Sequence, residues 1–160
     1  MLPSEINKYL LPLLLYLLPF TLNATSSLPP HSQGYDPARD PFADGRTAVK
    51  LAQESNRRVF IEVGGNWCSW CLQLDKFLAE NPQLREQLHR HFVLLKVNVS
   101  EANDNAEFMA GFPTPLGYPH IYIAEANGQI IFSKDTARLL ENARYSVQRF
   151  QHFIDKWKLP

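Results

Sequence analysis

Between Val59 and Leu72 the chain changes its periodicity within a few residues, and no other stretch narrows the possible folds so far. Val59-Phe60-Ile61-Glu62-Val63 is a short apolar run that reads as a buried strand. Gly64-Gly65-Asn66 supplies a turn. Trp67-Cys68-Ser69-Trp70-Cys71-Leu72 then opens a helix whose first turn carries both cysteines of the chain. A strand, a tight turn and a helix in that order belong to an α/β protein.

Cysteines three apart lie on one face of a helix, close enough to close a small disulfide ring. Unpaired backbone N–H groups and the positive end of the helix dipole favour thiolate over thiol at a helix N-terminus. Such settings bring a cysteine pKa from about 8.5 into the range of roughly 3.5–7.5, and the thiolate is the nucleophile of disulfide exchange. Cys68, nearest the helix start, is the candidate attacking sulfur, and Cys71, one turn in, the resolving one. The C-x-x-C spacing also serves zinc and c-type haem. A structural zinc site normally needs four ligands and no second C-x-x-C is present; haem attachment needs His after the second cysteine, where Leu72 stands. The strand-turn-helix setting points to redox chemistry.

On these residues the chain resembles the thioredoxin-like family. The resemblance rests on Trp67-Cys68-x-x-Cys71 after an apolar strand, on Glu62 six residues before the first cysteine, and on Pro119 opening a later strand. It covers the chain from about Tyr35 onward. It implies a thioredoxin-like α/β fold, a central mixed sheet with helices on both faces, here possible without that fold's first strand. It also implies thiol–disulfide exchange with protein thiols and disulfides, no cofactor beyond the redox-active disulfide itself, and a recycling partner in or near a membrane. Glu62 sits where the family keeps a buried acid beneath the second cysteine, and burial would raise its pKa toward the working pH, which suits a proton acceptor and donor. The other reading of Glu62 is a charge tolerated at a strand end or facing solvent. Three prolines, Pro113, Pro115 and Pro119, compete for the family's cis-proline; Pro119 directly precedes His120-Ile121-Tyr122-Ile123, so Tyr118-Pro119 is the choice.

The rest of the chain fits around that centre. With 160 residues, 45% of them apolar, it can build one core of ordinary size, and 16 acidic side chains balance 16 basic ones. That balance favours neither nucleic acid nor an anionic membrane as partner. Tyr9 to Leu22 is an apolar run too short for a bilayer span but right for the core of a signal peptide over residues 1–24, with an uncleaved anchor over 9–22 as the alternative. Export to a periplasm or to the outside is therefore expected, a compartment where disulfides persist. Residues 25–39 read as a flexible leader and 40–160 as the folded domain. Asp40-Pro41 caps a helix to Ser55, and Arg57-Arg58 reads as its solvated end. A second helix continues through Phe77 and Leu78, a third spans Pro82 to Arg90, and a strand follows from Phe92 to Val99. Asn98-Val99-Ser100 is a glycosylation sequon. Asn127-Gly128 turns a hairpin, Leu139-Leu140 could hold a helical turn, and Ser146 to Trp157 is an amphipathic helix.

Trp67, Trp70, Tyr118 and Pro119 are the candidate substrate-binding residues. The pair Ser69-Trp70 brings no cation to the thiolate, which argues for a reductase or general exchange protein over a strong oxidant. Two other classes compete. One is a soft-metal module holding Cu(I) with Cys68, Cys71 and His120; the other is a redox-inert thioredoxin-like interaction domain.

Overall fold

The computed structural model describes residues 28–160; the expected signal peptide or anchor lies outside them. Five helices and six strands follow in the order α1 (Pro41–Ser55), β1 (Arg58–Gly64), α2 (Ser69–Glu80), α3 (Pro82–His91), β2 (Phe92–Asn98), α4 (Ala106–Met109), β3 (His120–Ala124), β4 (Ile130–Asp135), β5 (Leu140–Glu141), β6 (Arg144–Tyr145) and α5 (Val147–Trp157). The four long strands form one mixed sheet in the order β2-β1-β3-β4, and β5 and β6 form a separate small hairpin. β1 runs parallel to β2 and antiparallel to β3.

The pleat of β1 sorts the core. Val59, Ile61 and Val63 face α1, where Ala48, Ala52, Val93, Leu95 and Tyr122 complete a cluster. Phe60 faces the opposite way, toward α2, α3 and α5, among Leu74, Leu88, Ile121, Phe150 and Ile154. Glu62 shares the face of Phe60, because side chains two apart along a strand point the same way. The expected helix-covered mixed sheet is thus what folds, and no strand precedes α1 among the described residues.

Residues 28–39, expected as a flexible leader, instead pack on the sheet. A 3₁₀ turn at Pro30–Ser32 lies against β2, His31 and Ser32 are buried, and Tyr35 is 5% exposed. The Ser32 hydroxyl donates to the Leu94 carbonyl, and the Asn66 and Asn103 side-chain amides hold the strap's carbonyls at Tyr35 and Pro37. The outer edge of β2 is closed by side chains: Arg57 donates to the Phe92 carbonyl at 3.3 Å and Asn105 to that of Asn98 at 2.7 Å, either side of Leu94.

The arginine pair is not a solvated helix end. Arg58 begins β1, binds Glu125 at 2.7 Å and donates to the Trp157 carbonyl at 2.9 Å, which ties the turn between β3 and β4 to the end of α5. No helical turn forms at Leu139-Leu140 itself: a 3₁₀ turn spans Thr136–Leu139 and Leu140 enters β5. Asn98 is 4% exposed, and its amide donates to the Ser100 hydroxyl and the Asn103 carbonyl, both at 3.0 Å. The sequon is therefore folded into the structure rather than offered on a surface loop.

Candidate active site

Cys68 is the N-cap of α2, with extended backbone, and Cys71 lies in its first turn. The two are joined as a disulfide with Cα atoms 5.2 Å apart. Cys68 Sγ accepts the Cys71 backbone N–H at 3.2 Å, so the helix terminus donates directly to the sulfur expected to carry charge. Cys68 is 5% exposed and Cys71 fully buried. This asymmetry fits one sulfur that meets a partner and one that does not.

Two glycines let this turn close. A side chain begun at Gly64 would meet Cys71 Sγ at 2.5 Å and the Tyr35 hydroxyl at 2.9 Å. One begun at Gly65 would run into the Trp67 indole nitrogen at 2.5 Å and the Val99 carbonyl oxygen at 3.1 Å. The Trp67 indole N–H donates to that carbonyl at 2.6 Å, and its ring packs edge-on against Tyr118 with centroids 5.7 Å apart. Trp67 is nonetheless 59% exposed, and Trp70, which packs edge-on against Tyr145, is also exposed. Tyr118 touches the cysteine pair, and the Tyr118–Pro119 bond is cis. Of the three candidate prolines, Pro119 is the cis one.

Glu62 is fully buried, so the solvent-facing reading fails. The parallel register sets Lys96 of β2 directly opposite it, on the same face. The Tyr35 hydroxyl donates to Glu62 Oε1, Lys96 Nζ stands 3.5 Å from that oxygen, and Lys96 pairs more closely with Asp75 of α2. The Lys96 ammonium also sits 4.6 Å above the centre of the Tyr35 ring. Burial pushes the Glu62 carboxyl up; Lys96 opposes this, and Asp75 adds to it. Burial works to lower Lys96, but facing two carboxylates outweighs it and holds the ammonium above its ordinary value. One cation shared by two carboxylates explains both directions, since Asp75 takes the better contact and leaves Glu62 undercompensated. Tyr35 is pushed well above the ordinary tyrosine range, first by burial and then by Glu62.

Sequence reasoning found Glu62 but not Tyr35, Lys96 or Asp75. Lys96 carried a signal, as the one charge in a mostly apolar strand; Tyr35 sat in a stretch without periodicity and carried none. His120 belongs elsewhere. It is buried, its Nε2 lies 2.8 Å from the Ser133 hydroxyl and its ring stacks near Tyr122. Among the described residues no three His, Cys, Asp or Glu side chains gather as a metal site, so the structure does not support the soft-metal reading.

The sequence model of a family described as thioredoxin-like matches residues 41–126, just over half of the chain. The chain belongs to the thioredoxin-like family. Among solved structures it is similar to a disulphide isomerase from Xylella fastidiosa Temecula1, at 25% identity and TM-score 0.66, over 82% of this chain and 97% of that one. It shares its fold with a thioredoxin from Thermus thermophilus, at 21% identity and TM-score 0.50, over 78% of this chain and 86% of that one. The same holds for the oxidised C-terminal domain of Neisseria meningitidis DsbD, at 12% identity and TM-score 0.51, over 74% of this chain and 97% of that one. An uncharacterised Caenorhabditis elegans protein is 33% identical over 60 residues, which is 38% of this chain and only 8% of the worm protein's length. Family, fold and closed cysteine pair together support thiol–disulfide oxidoreductase activity.

Proposed function

We propose that the chain is a thiol–disulfide oxidoreductase acting on protein disulfides, working as a reductase or general exchange catalyst. The observation that carries this reading is the disulfide at the start of α2, with Cys68 Sγ receiving a helix N–H and Cys71 buried behind it. In the reduced protein Cys68 thiolate attacks one sulfur of a substrate disulfide, forming a mixed disulfide and releasing the other sulfur as thiolate. Cys71, losing its proton with help from Glu62, then attacks Cys68 Sγ. The Cys68–Cys71 bond forms, the substrate's second sulfur leaves, and two electrons have passed to the substrate. Similarity to a disulphide isomerase supports protein disulfides as the substrate class.

Four large apolar side chains are exposed on the active-site helix, the turn before it and the loop before β3: Trp67, Trp70, Leu72 and Leu116. They provide an apolar rim on which a partly unfolded substrate chain would settle around Cys68, with the Tyr118-Pro119 backbone beside it. The reductase direction rests on the lack of a cation in the Ser69-Trp70 pair. Export rests on the apolar run of residues 9–22 and on the need for a compartment where substrate disulfides exist. A membrane-side electron donor would then return Cys68–Cys71 to the dithiol.

Equilibration in dithiothreitol or glutathione buffers, read by tryptophan fluorescence, tests the direction. A reduction potential near about −270 mV fits a reductase, whereas one near about −120 mV would make the protein an oxidant. Cys68→Ser must abolish reduction of insulin disulfides, and survival of that activity would sink the reading.

A further inference from the structure

We propose that Tyr35, delivered by the strap that precedes α1, is the proton-relay residue through which Cys71 exchanges its proton with Glu62. The inference rests on the oxidoreductase reading above and assigns a part to a residue outside the segment that matches the family, which begins at residue 41.

Three observations converge on it. The Tyr35 hydroxyl donates to Glu62 Oε1, so one end of the bridge is made. The same hydroxyl and Cys71 Sγ stand at 2.9 and 2.5 Å from the point where a side chain on Gly64 would start, so the absent side chain leaves them neighbours over the same backbone position. Tyr35, Cys68, Cys71 and Tyr118 form one packed cluster. Glu62 makes no hydrogen bond to either cysteine, and its second oxygen, Oε2, has no partner among the described residues. A phenol can donate one proton and accept another at the same oxygen, which a phenylalanine cannot.

The strap is fixed for this task. Asn66, two residues before Cys68, donates to the Tyr35 carbonyl at 3.0 Å, and Ser32 ties the segment to β2. The groups that face Glu62 are Tyr35 from the strap, Lys96 from β2 and Asp75 from α2, with Tyr145 of β6 acting from farther off; its neighbour across β3, Ile121, brings no charge. In the resolving step the Cys71 S–H proton passes to the Tyr35 oxygen while the Tyr35 proton passes to Glu62. Cys71 is left as thiolate, Tyr35 is unchanged, and Glu62 becomes a carboxylic acid. The thiolate forms the bond to Cys68, the Cys68–substrate bond breaks, and the leaving substrate thiolate takes a proton from water. Glu62 then returns its proton to solvent.

The test uses the full reduced chain mixed with 5,5′-dithiobis(2-nitrobenzoate) in a stopped-flow instrument. The first release of thionitrobenzoate reports attack by Cys68, and the second reports resolution by Cys71. In Tyr35→Phe the first phase stays within about twofold of wild type, while the second slows at least about tenfold at pH 7 and converges on wild type at high pH, where Cys71 ionises unaided. Glu62→Gln slows the same phase, and the double variant is no slower than the slower single one, because both act on one proton path. A second phase unchanged in Tyr35→Phe but slowed in Glu62→Gln overturns the inference and leaves the oxidoreductase reading standing. Independent, multiplying effects of the two substitutions overturn it as well. Loss of the first phase in wild type removes the underlying reading itself. If Tyr35→Phe does not fold, 3,5-difluorotyrosine at position 35 keeps the ring and hydroxyl but makes the phenol more acidic. The pH midpoint of the second phase then moves down, and an unmoved midpoint overturns the inference.

Discussion

Gly64→Ala isolates the packing between Cys71 and Tyr35 and has a sign that can be worked out. The added methyl carbon would lie 2.5 Å from Cys71 Sγ, 2.9 Å from the Tyr35 hydroxyl and 3.1 Å from its ring carbon, all closer than carbon approaches such atoms. Overfilling a packed interior costs about 1–3 kcal/mol. In the oxidised protein Sγ is tethered to Cys68 and cannot turn away. In the dithiol it can move to another staggered rotamer, which relieves its share of the clash, whereas the Tyr35 contact is present in both states. If reduction relieves about 1–2 kcal/mol, the reduction potential rises by about 20–40 mV, since 30 mV corresponds to about 1.4 kcal/mol for this two-electron couple. The oxidised form should also melt about 4–12 °C lower, taking roughly 4 °C per kcal/mol for a domain of this size, and the reduced form should lose less. Redox titration in dithiothreitol buffers and paired melts of the two states measure both quantities. An unmoved or more negative potential, or equal losses of Tm in both states, would refute the reasoning.

Burial raises the Glu62 carboxyl in the folded state, so its contribution to stability is greatest below the unfolded value of 4.5 and is lost as pH climbs through the folded one. Wild type should therefore lose stability relative to Glu62→Gln as pH rises above 4.5, and urea midpoints that keep a constant gap as pH rises would contradict this. Leu116 is 81% exposed on the loop before Tyr118, so Leu116→Ala should raise KM for an apolar peptide disulfide about three- to tenfold. The same substitution should leave the potential against dithiothreitol alone, because the exposed side chain is not part of the cluster of Tyr35 and Tyr118 that packs on the sulfurs. Asn98 is buried with its amide engaged, so expression through a eukaryotic secretory pathway should yield unmodified Asn98 by peptide mass spectrometry.

The parts legible from sequence were those whose local pattern and tertiary role agree. Val59–Val63 is apolar because both faces of β1 are covered, and Asp40-Pro41 marks a helix start by local hydrogen bonding alone. Glu62 and the cysteines could be placed because a known spacing joins them. What escaped depended on contacts between distant segments. The strap has no periodicity because it buries single residues, His31, Ser32 and Tyr35, rather than a face. Arg58 looked like the end of a helix because its partners, Glu125 and the Trp157 carbonyl, lie in elements far along the chain. The β5–β6 hairpin turns through Asn142 and Ala143 with φ of 49° and 58°, and alanine at such a position gives no turn signal.

A strap rather than a strand lies beside β2, and this bears on how the protein behaves at high concentration. An open strand edge is a template for pairing with another chain, and self-association through such edges leads toward aggregation. Here the edge carbonyls of Phe92, Leu94 and Asn98 are occupied by Arg57, Ser32 and Asn105, so this buried strand of the sheet offers an incoming chain few free acceptors. Because the segment that supplies Ser32 also supplies Tyr35, a protease cut just after Tyr35 would act on two properties together. It would open the edge of β2 to association and remove the phenol from beside Glu62. Colloidal stability and redox chemistry are thus vested in the same few residues.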